Sequence, residues 1–283
     1  MENTQITNNP LKSYFRKPGI WIKLPSKGKF YKNELTELND QGEVPVYPMT
    51  TKDELILKNA DALLNGDALV QLITSCVPTI KDPREMPTID VDALLVAIRR
   101  ATYGERYDVT VTHDCAENAV TEASVDLNMM IATIKVLTDI PVITLDNGIK
   151  VFIKPITLQH LLTLNWAQYE QIRNIQLAEQ RGLPEEEQAK IAQRGYEALT
   201  TINIKTISEC VDTVLLPDNT AVTDTASIYE WIGDLPRPDF KKIETTLMST
   251  TSSGLQKEVD IECNHCRKIF TSTLDLNPTT FFE

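Results

Sequence analysis

Two stretches, "YDVTVTHDCAENAVTEASVDLN" (107–128) and "KEVDIECNHCRKIFTSTLDLNP" (257–278), decide how this chain is read. Each runs as an alternating segment, a polar turn, a second alternating segment and then Asp-Leu-Asn. A period of two predicts a half-buried β-hairpin. Val109 and Val111 align with Val259 and Ile261, and Asp126-Leu127-Asn128 aligns with Asp275-Leu276-Asn277 after a one-residue gap. The pattern reads as a weak internal duplication. In this register His113 falls where Cys263 falls, and Cys115 lies one position short of Cys266.

Cys263-x-x-Cys266 is half of a tetrahedral metal site. The segment after it, "TSTLDLNPTTFFE", contains no Cys or His. His113 and Cys115 in the matching hairpin are the right ligand types. Two facing hairpins can therefore hold one structural Zn²⁺ with three Cys and one His, tying the middle of the chain to its end. The competing reading is a metal-free pair of hairpins packed through Val109, Val111, Val259 and Ile261. His-x-Cys is tighter than the usual knuckle spacing, which keeps both readings open. A redox Cys-x-x-Cys normally opens a helix in a βαβ unit, whereas this one sits between strands. No acid–base residue stands beside an open ligand position, so any zinc site is read as closed and structural.

The 283 residues are 42% hydrophobic and 24% charged, enough apolar content for a sizeable core. A net charge of −12 argues against a nucleic-acid coat and suits protein partners. No apolar run is long enough to span a bilayer, and "MENTQITNNPLKSYFRKPG" lacks the apolar centre of a secretion signal. Five cysteines, only two of them close in sequence, fit a reducing compartment better than a disulfide scaffold.

The rest of the chain reads as α+β, mostly helical with small hairpins, two of which form the zinc-ribbon-like pair. Residues 1–19 read as a flexible arm, basic at Lys12, Arg16 and Lys17. Residues 20–135 form an α+β region, 136–255 a mainly helical region, and 256–283 a hairpin that packs back on the first region. "GIWIKLPSKGKFY" (19–31) and "EVPVYPM" (43–49) read as extended segments, the second limited to an edge by its prolines. Thr50 and Asp53 suggest a capping box for a helix that runs to Gly66, with Asp67 starting the next, to Cys76. Asp90 is the expected cap of a helix over 89–104. "VITLDNGIKVFI" (142–153) is a hairpin turning at Asn147-Gly148. Helices are expected over 157–181, 185–209, 225–233 and 238–250, the second opened by Pro184 and three glutamates.

Other motifs carry less. "PSKGKF" lacks the spacing of a phosphate-binding loop. His160, among leucines, reads as a satisfied helical residue, and His265 as pointing outward. Trp21, Trp166 and Trp231 read as core or interface anchors. Lys23, Lys27, Lys29 and Lys32 beside Trp21, Phe30 and Tyr31 suit either a nucleic acid or a docking protein. Phe281 and Phe282 are expected in an apolar groove.

Several segments resemble the baseplate hub and tail-assembly protein family of T-even-type contractile-tailed bacteriophages. The likeness lies in "LPSKGKFY" (24–31), "GEVPVYPMTTKDELILKNADALLNGDALVQLITSCVP" (42–78), "MPTIDVDALLVAIRRATYGERYDVTV" (86–111) and "IECNHCRKIFTSTLDLNPTTFF" (261–282). The resemblance implies a non-enzymatic protein, a hub subunit or an assembly factor. It would work in the virion baseplate or in the host cytoplasm during assembly. Its partners would be other hub or tail proteins, including the tape-measure protein, and not nucleic acid or membrane. Such proteins commonly show Cys-x-x-Cys at both hairpins. This chain keeps the second as Cys263 and Cys266, and has "HDCAEN" in place of the first. The alternative function is a zinc-ribbon nucleic-acid-binding or regulatory protein.

Overall fold

The computed structural model describes residues 10–31, 35, 38–115, 120–137, 139–251 and 253–282. Residues 1–9 of the expected arm, Lys32 and the turn over 116–119 lie outside the described residues. After a 3₁₀ turn at Pro10–Tyr14, Arg16 is tied down. It donates to the carbonyl oxygens of Pro48 and Ser75, each at 2.6 Å, and to Ser75 Oγ at 2.9 Å, with the Asp53 carboxylate at 3.5 Å. The strands β1 (Ile20–Ile22) and β2 (Val44–Val46) pair antiparallel, with Trp21 opposite Pro45. A two-stranded pair has a free edge on each strand, which accommodates the missing N–H of Pro45.

Three helices follow: α1 (Thr51–Leu57), α2 (Ala60–Leu64) and α3 (Asp67–Cys76). Asp53 Oδ2 accepts from the Thr50 N–H at 2.7 Å, as the cap reading expected. The single helix expected up to Gly66 is broken at Asn59. Its side-chain oxygen accepts from the N–H groups of Asp61 and Ala62, giving the chain a new helix start. Gly66 adopts φ +78°, and a Cβ there would lie 2.2 Å from Leu162 Cδ2.

Helix α4 (Thr88–Tyr103) begins after Pro87, so Asp90 is not its cap. Asp90 is fully buried and faces inward. Its carboxylate accepts from Ser26 N at 2.8 Å, Ser26 Oγ at 2.5 Å and Tyr31 Oη at 2.8 Å. That trio fastens the "LPSKGKFY" loop to α4. Burial outweighs these bonds and pushes the Asp90 carboxyl up to about 6.

The first of the paired hairpins is β3 (Arg106–Thr112) with β4 (Val120–Asp126), and Asp126 caps α5 (Leu127–Ala132). Then come β5 (Val142–Thr144) and β6 (Lys150–Ile153), turning through Gly148 at φ +82°. Helices α6 (Leu158–Gln180) and α7 (Glu185–Cys210) form a long antiparallel hairpin. It is tight at Gly195, where a Cβ would sit 2.8 Å from Gln171 Cγ. The next segment adds two strands that the sequence reading did not include. β7 (Val211–Leu215) and β8 (Ala221–Val222) extend the β5–β6 hairpin into a four-stranded antiparallel sheet. Helices α8 (Thr225–Gly233) and α9 (Arg237–Thr251) follow, then the second paired hairpin, β9 (Glu258–Glu262) with β10 (Ile269–Thr273), and the short α10 (Pro278–Phe281). The fold is α+β with small antiparallel sheets.

Buried side chains gather in two clusters. The first joins β1, β2, α3 and α4 to Leu127, Leu158, Leu255, Leu274, Leu276, Phe281 and Phe282. The second joins the four-stranded sheet to Ile207, Ile228, Ile232, Ile243 and Leu247. The chain end therefore returns to the first cluster. Phe281 is fully buried, and the buried Arg99 donates to its carbonyl oxygen. The Arg99 guanidinium also lies 4.3 Å from the centroid of the Tyr107 ring and 5.3 Å from that of Phe281. Cation–π contacts of this kind help offset the cost of burying the charge.

Candidate metal centre

The two duplicated hairpins stand side by side, with β4 against β9. The period-two pattern turns Tyr107, Val109 and Val111 to the half-buried face of β3, and Val259 and Ile261 to that of β9. The Asp-Leu-Asn repeats also fold alike. Asp126 accepts from the Asn128 N–H at 2.8 Å, and Asp275 from the Asn277 N–H at 3.0 Å. The intervening Leu127 and Leu276 both enter the first core cluster. Each hairpin thus ends in the same side-chain turn, and each turn drives a leucine into the same core.

This arrangement brings His113, Cys115, Cys263 and Cys266 together, with their ligand atoms all within 4.8 Å of one another. Cys115 Sγ lies 3.6 Å from Cys263 Sγ, and Cys266 Sγ lies 3.6 Å from His113 Nδ1. A tetrahedral zinc with Zn–S near 2.3 Å sets its sulfur ligands about 3.8 Å apart. The two 3.6 Å spacings are close to that value, within a set of ligand atoms that spans no more than 4.8 Å. The knuckle itself is shaped by backbone bonds: Cys263 N–H donates to Lys268 O at 2.9 Å and Arg267 N–H donates to Cys263 O at 2.9 Å. Arg267 takes φ +62° to close the turn. Phe270 stacks on the His113 ring at 4.3 Å, orienting the imidazole.

The electrostatics also suit a cation. The Cys263 thiol is pulled down to about 5, first by the Cys266 backbone N–H, and further by the Thr121 hydroxyl and the His265 N–H. Thr121 Oγ1 lies 3.6 Å from this sulfur. The Cys115 thiol moves the other way, up to about 11, through desolvation and its hydrogen bonds to Cys263 and Cys266. One sulfur is held as thiolate and resists ionisation of the Cys115 thiol, and a bound divalent cation would relieve that conflict. Three thiols and an imidazole at these distances fit Zn²⁺. His265, expected to point outward, is exposed, yet its Nδ1 reaches within 3.9 Å of Cys115 Sγ.

A second polar locus lies at the start of α6. A cavity of about 680 Å³ there is lined by Lys154, Thr157, His160, Lys205 and Glu209, among others. Thr157, His160 and Glu209 line up as hydroxyl, imidazole and carboxylate. The arrangement is a helix cap. His160 Nδ1 accepts from the Thr157 backbone N–H at 3.2 Å, and Thr157 Oγ1 accepts from the His160 backbone N–H at 3.4 Å. Nε2 is left to donate to Glu209 at 2.9 Å. Thr157 Oγ1 also lies 3.2 Å from His160 Nδ1, so this nitrogen is shared between the Thr157 backbone N–H and its hydroxyl. Among the described residues no helix is long and apolar enough to cross a membrane.

Searches of curated proteins and of solved structures each returned no match. A family model described as T4 bacteriophage base plate protein matches residues 20–283, which takes in both cores and both hairpins of the candidate centre, and the chain belongs to that family.

Proposed function

We propose that this chain is a non-enzymatic component of the phage baseplate hub, acting as a hub subunit or as a factor in hub assembly. The family match over 20–283 is the observation that carries this reading. It acts in the virion tail or, during assembly, in the host cytoplasm. Its partners are other hub and tail proteins, with the tape-measure protein among those to test. The acidic balance of −12 favours protein partners over nucleic acid. One structural Zn²⁺ held by His113, Cys115, Cys263 and Cys266 clips the chain end to its middle. The convergence of four ligand atoms supports this.

Quantitative mass spectrometry of purified mature tails beside assembly intermediates tests the reading. A fixed stoichiometry in mature tails identifies a hub subunit. Presence in intermediates alone identifies an assembly factor. Absence from both overturns the proposal.

A further inference from the structure

The two residues between the knuckle cysteines, Asn264 and His265, both turn back onto the first hairpin. The Asn264 N–H donates to Thr121 Oγ1 at 3.3 Å, and its side-chain amide donates to the Glu122 carbonyl oxygen at 3.3 Å. His265 Nδ1 lies 3.9 Å from Cys115 Sγ, within reach of an N–H···S hydrogen bond. The sulfurs of the centre are not equally supported. Cys263 is fully buried, and its sulfur receives the Thr121 hydroxyl at 3.6 Å together with the backbone N–H groups of Cys266 and His265. Cys115 is half-buried, and its own backbone N–H is committed to the His113 carbonyl oxygen at 2.8 Å. Among the described residues, the one donor other than a thiol within reach of the Cys115 sulfur is His265.

We propose that His265 is a positioning residue of the metal centre, whose Nδ1–H donates to the zinc-bound Cys115 thiolate and holds it in the ligand set. The inference rests on the zinc reading of this centre and adds a fifth side chain to it. Three thiolates and a neutral imidazole around Zn²⁺ leave the site with one negative charge in excess. Donors aimed at the sulfurs offset that excess, and a hydrogen bond to a charged acceptor is stronger than one between neutral groups. A thiolate accepts and cannot donate, so it selects the histidine tautomer with hydrogen on Nδ1. The knuckle is already fixed by its own backbone bonds and by Asn264, so the ring is delivered to Cys115 from a rigid turn. His265 thereby serves both hairpins: its backbone N–H faces the Cys263 sulfur and its ring faces the Cys115 sulfur. It also stands on the solvent side of the more open of these two sulfurs.

Chelator competition on the full, zinc-loaded chain tests this. His265→Ala should weaken zinc binding by about 10- to 100-fold, the loss usual for a group that orients a metal ligand. Melting of the metal-free protein should be unchanged, because the His265 side chain is exposed. In the cobalt-loaded variant the sulfur-to-metal charge-transfer band should move to longer wavelength, since a thiolate that loses a donor gives up its electrons more readily. His265→Asn, which can place an amide N–H near the position of Nδ1, should recover most of both effects. A parent chain that binds no zinc removes the zinc reading and this inference with it. Zinc on the parent, with unchanged affinity and spectrum in His265→Ala, leaves the zinc reading standing and overturns this inference alone. A Cys115→Ala chain that keeps tetrahedral cobalt bands, and loses them on further His265→Ala substitution, makes the histidine a ligand and overturns its role as donor.

Discussion

The sulfur of Cys115 lies 3.6 Å from that of Cys263, although 148 residues separate them. Closing so long a loop has an entropic cost that grows only slowly with length, so a modest set of contacts can hold it. Those contacts are the β4–β9 packing, the shared insertion of Leu127 and Leu276 into one core, and the anchoring of Phe281 by Arg99. The four candidate ligands converge because the hairpins are already placed. A cation bound there would reinforce an existing junction.

The purified protein is expected to carry one zinc per chain, read by metal analysis after gel filtration. Cobalt substitution should give the intense visible bands of a tetrahedral thiolate site. Ligation needs deprotonated sulfurs, so acidification should release the metal. A preparation that binds no zinc when refolded with it would favour the metal-free reading.

Cys263→Ser should abolish stoichiometric zinc and loosen the C-terminal hairpin, with the helices intact. Structural zinc in isolated peptides contributes about 10–16 kcal/mol, and less of this fold depends on it because the first core holds the same segment. Limited proteolysis should cut within 257–274 in the variant and spare that segment in the parent. Unchanged cleavage and melting would mean the clip is not structural.

Much of this junction is legible in the sequence because it is written in local chemistry: period-two alternation, Asp-Leu-Asn turns and a Cys-x-x-Cys knuckle. Asn147-Gly148 likewise announces its own turn. Features set by distant contacts are not legible in this way. Asp90 has a cap's residue type and position, but Ser26 and Tyr31 draw it inward from 64 and 59 residues away. β7 follows α7 without a Gly or Pro between Cys210 and Val211, so no breaker marks the change. Its run of Val, Thr and Leu, ending at the Asn219 turn with φ +66°, was the available signal. The pairing of β1 with β2 has no local signature at all.

The buried Asp90 predicts a pH dependence of stability. Its carboxyl rises from 3.8 to about 6 on folding, so the folded state binds the proton more tightly than the unfolded state. Between those values stability should fall as pH rises. The penalty is absent below about pH 4 and complete above about pH 6, and amounts to roughly 3 kcal/mol. Asp90→Asn removes the titrating group and should flatten this slope in urea unfolding measured from pH 4 to 7. Asp90→Ala leaves the Ser26 N–H and the Tyr31 hydroxyl without their partner and should lower stability at every pH. A parent protein whose stability rises steadily over that range, with the same slope in Asp90→Asn, would contradict the assignment.

The terminal aromatic pair gives the last prediction. Phe281 is fully buried, edge-on to Tyr107 at 4.9 Å and to Phe282 at 5.4 Å. Removing its ring leaves a cavity that the surrounding α4 and β3 side chains cannot fill without moving, so Phe281→Ala should cost about 3–5 kcal/mol. Arg99 also faces this ring, so the same change removes a cation–π partner from a buried charge. Arg99→Met keeps most of the side-chain volume and deletes the charge. It also loses the hydrogen bond to the Phe281 carbonyl, and should cost less than Phe281→Ala. The two residues touch, so their effects should not add. In a double-mutant cycle by urea unfolding, the pair should show a coupling of about 0.5–3 kcal/mol. Strict additivity would mean that the chain end is held by apolar packing alone.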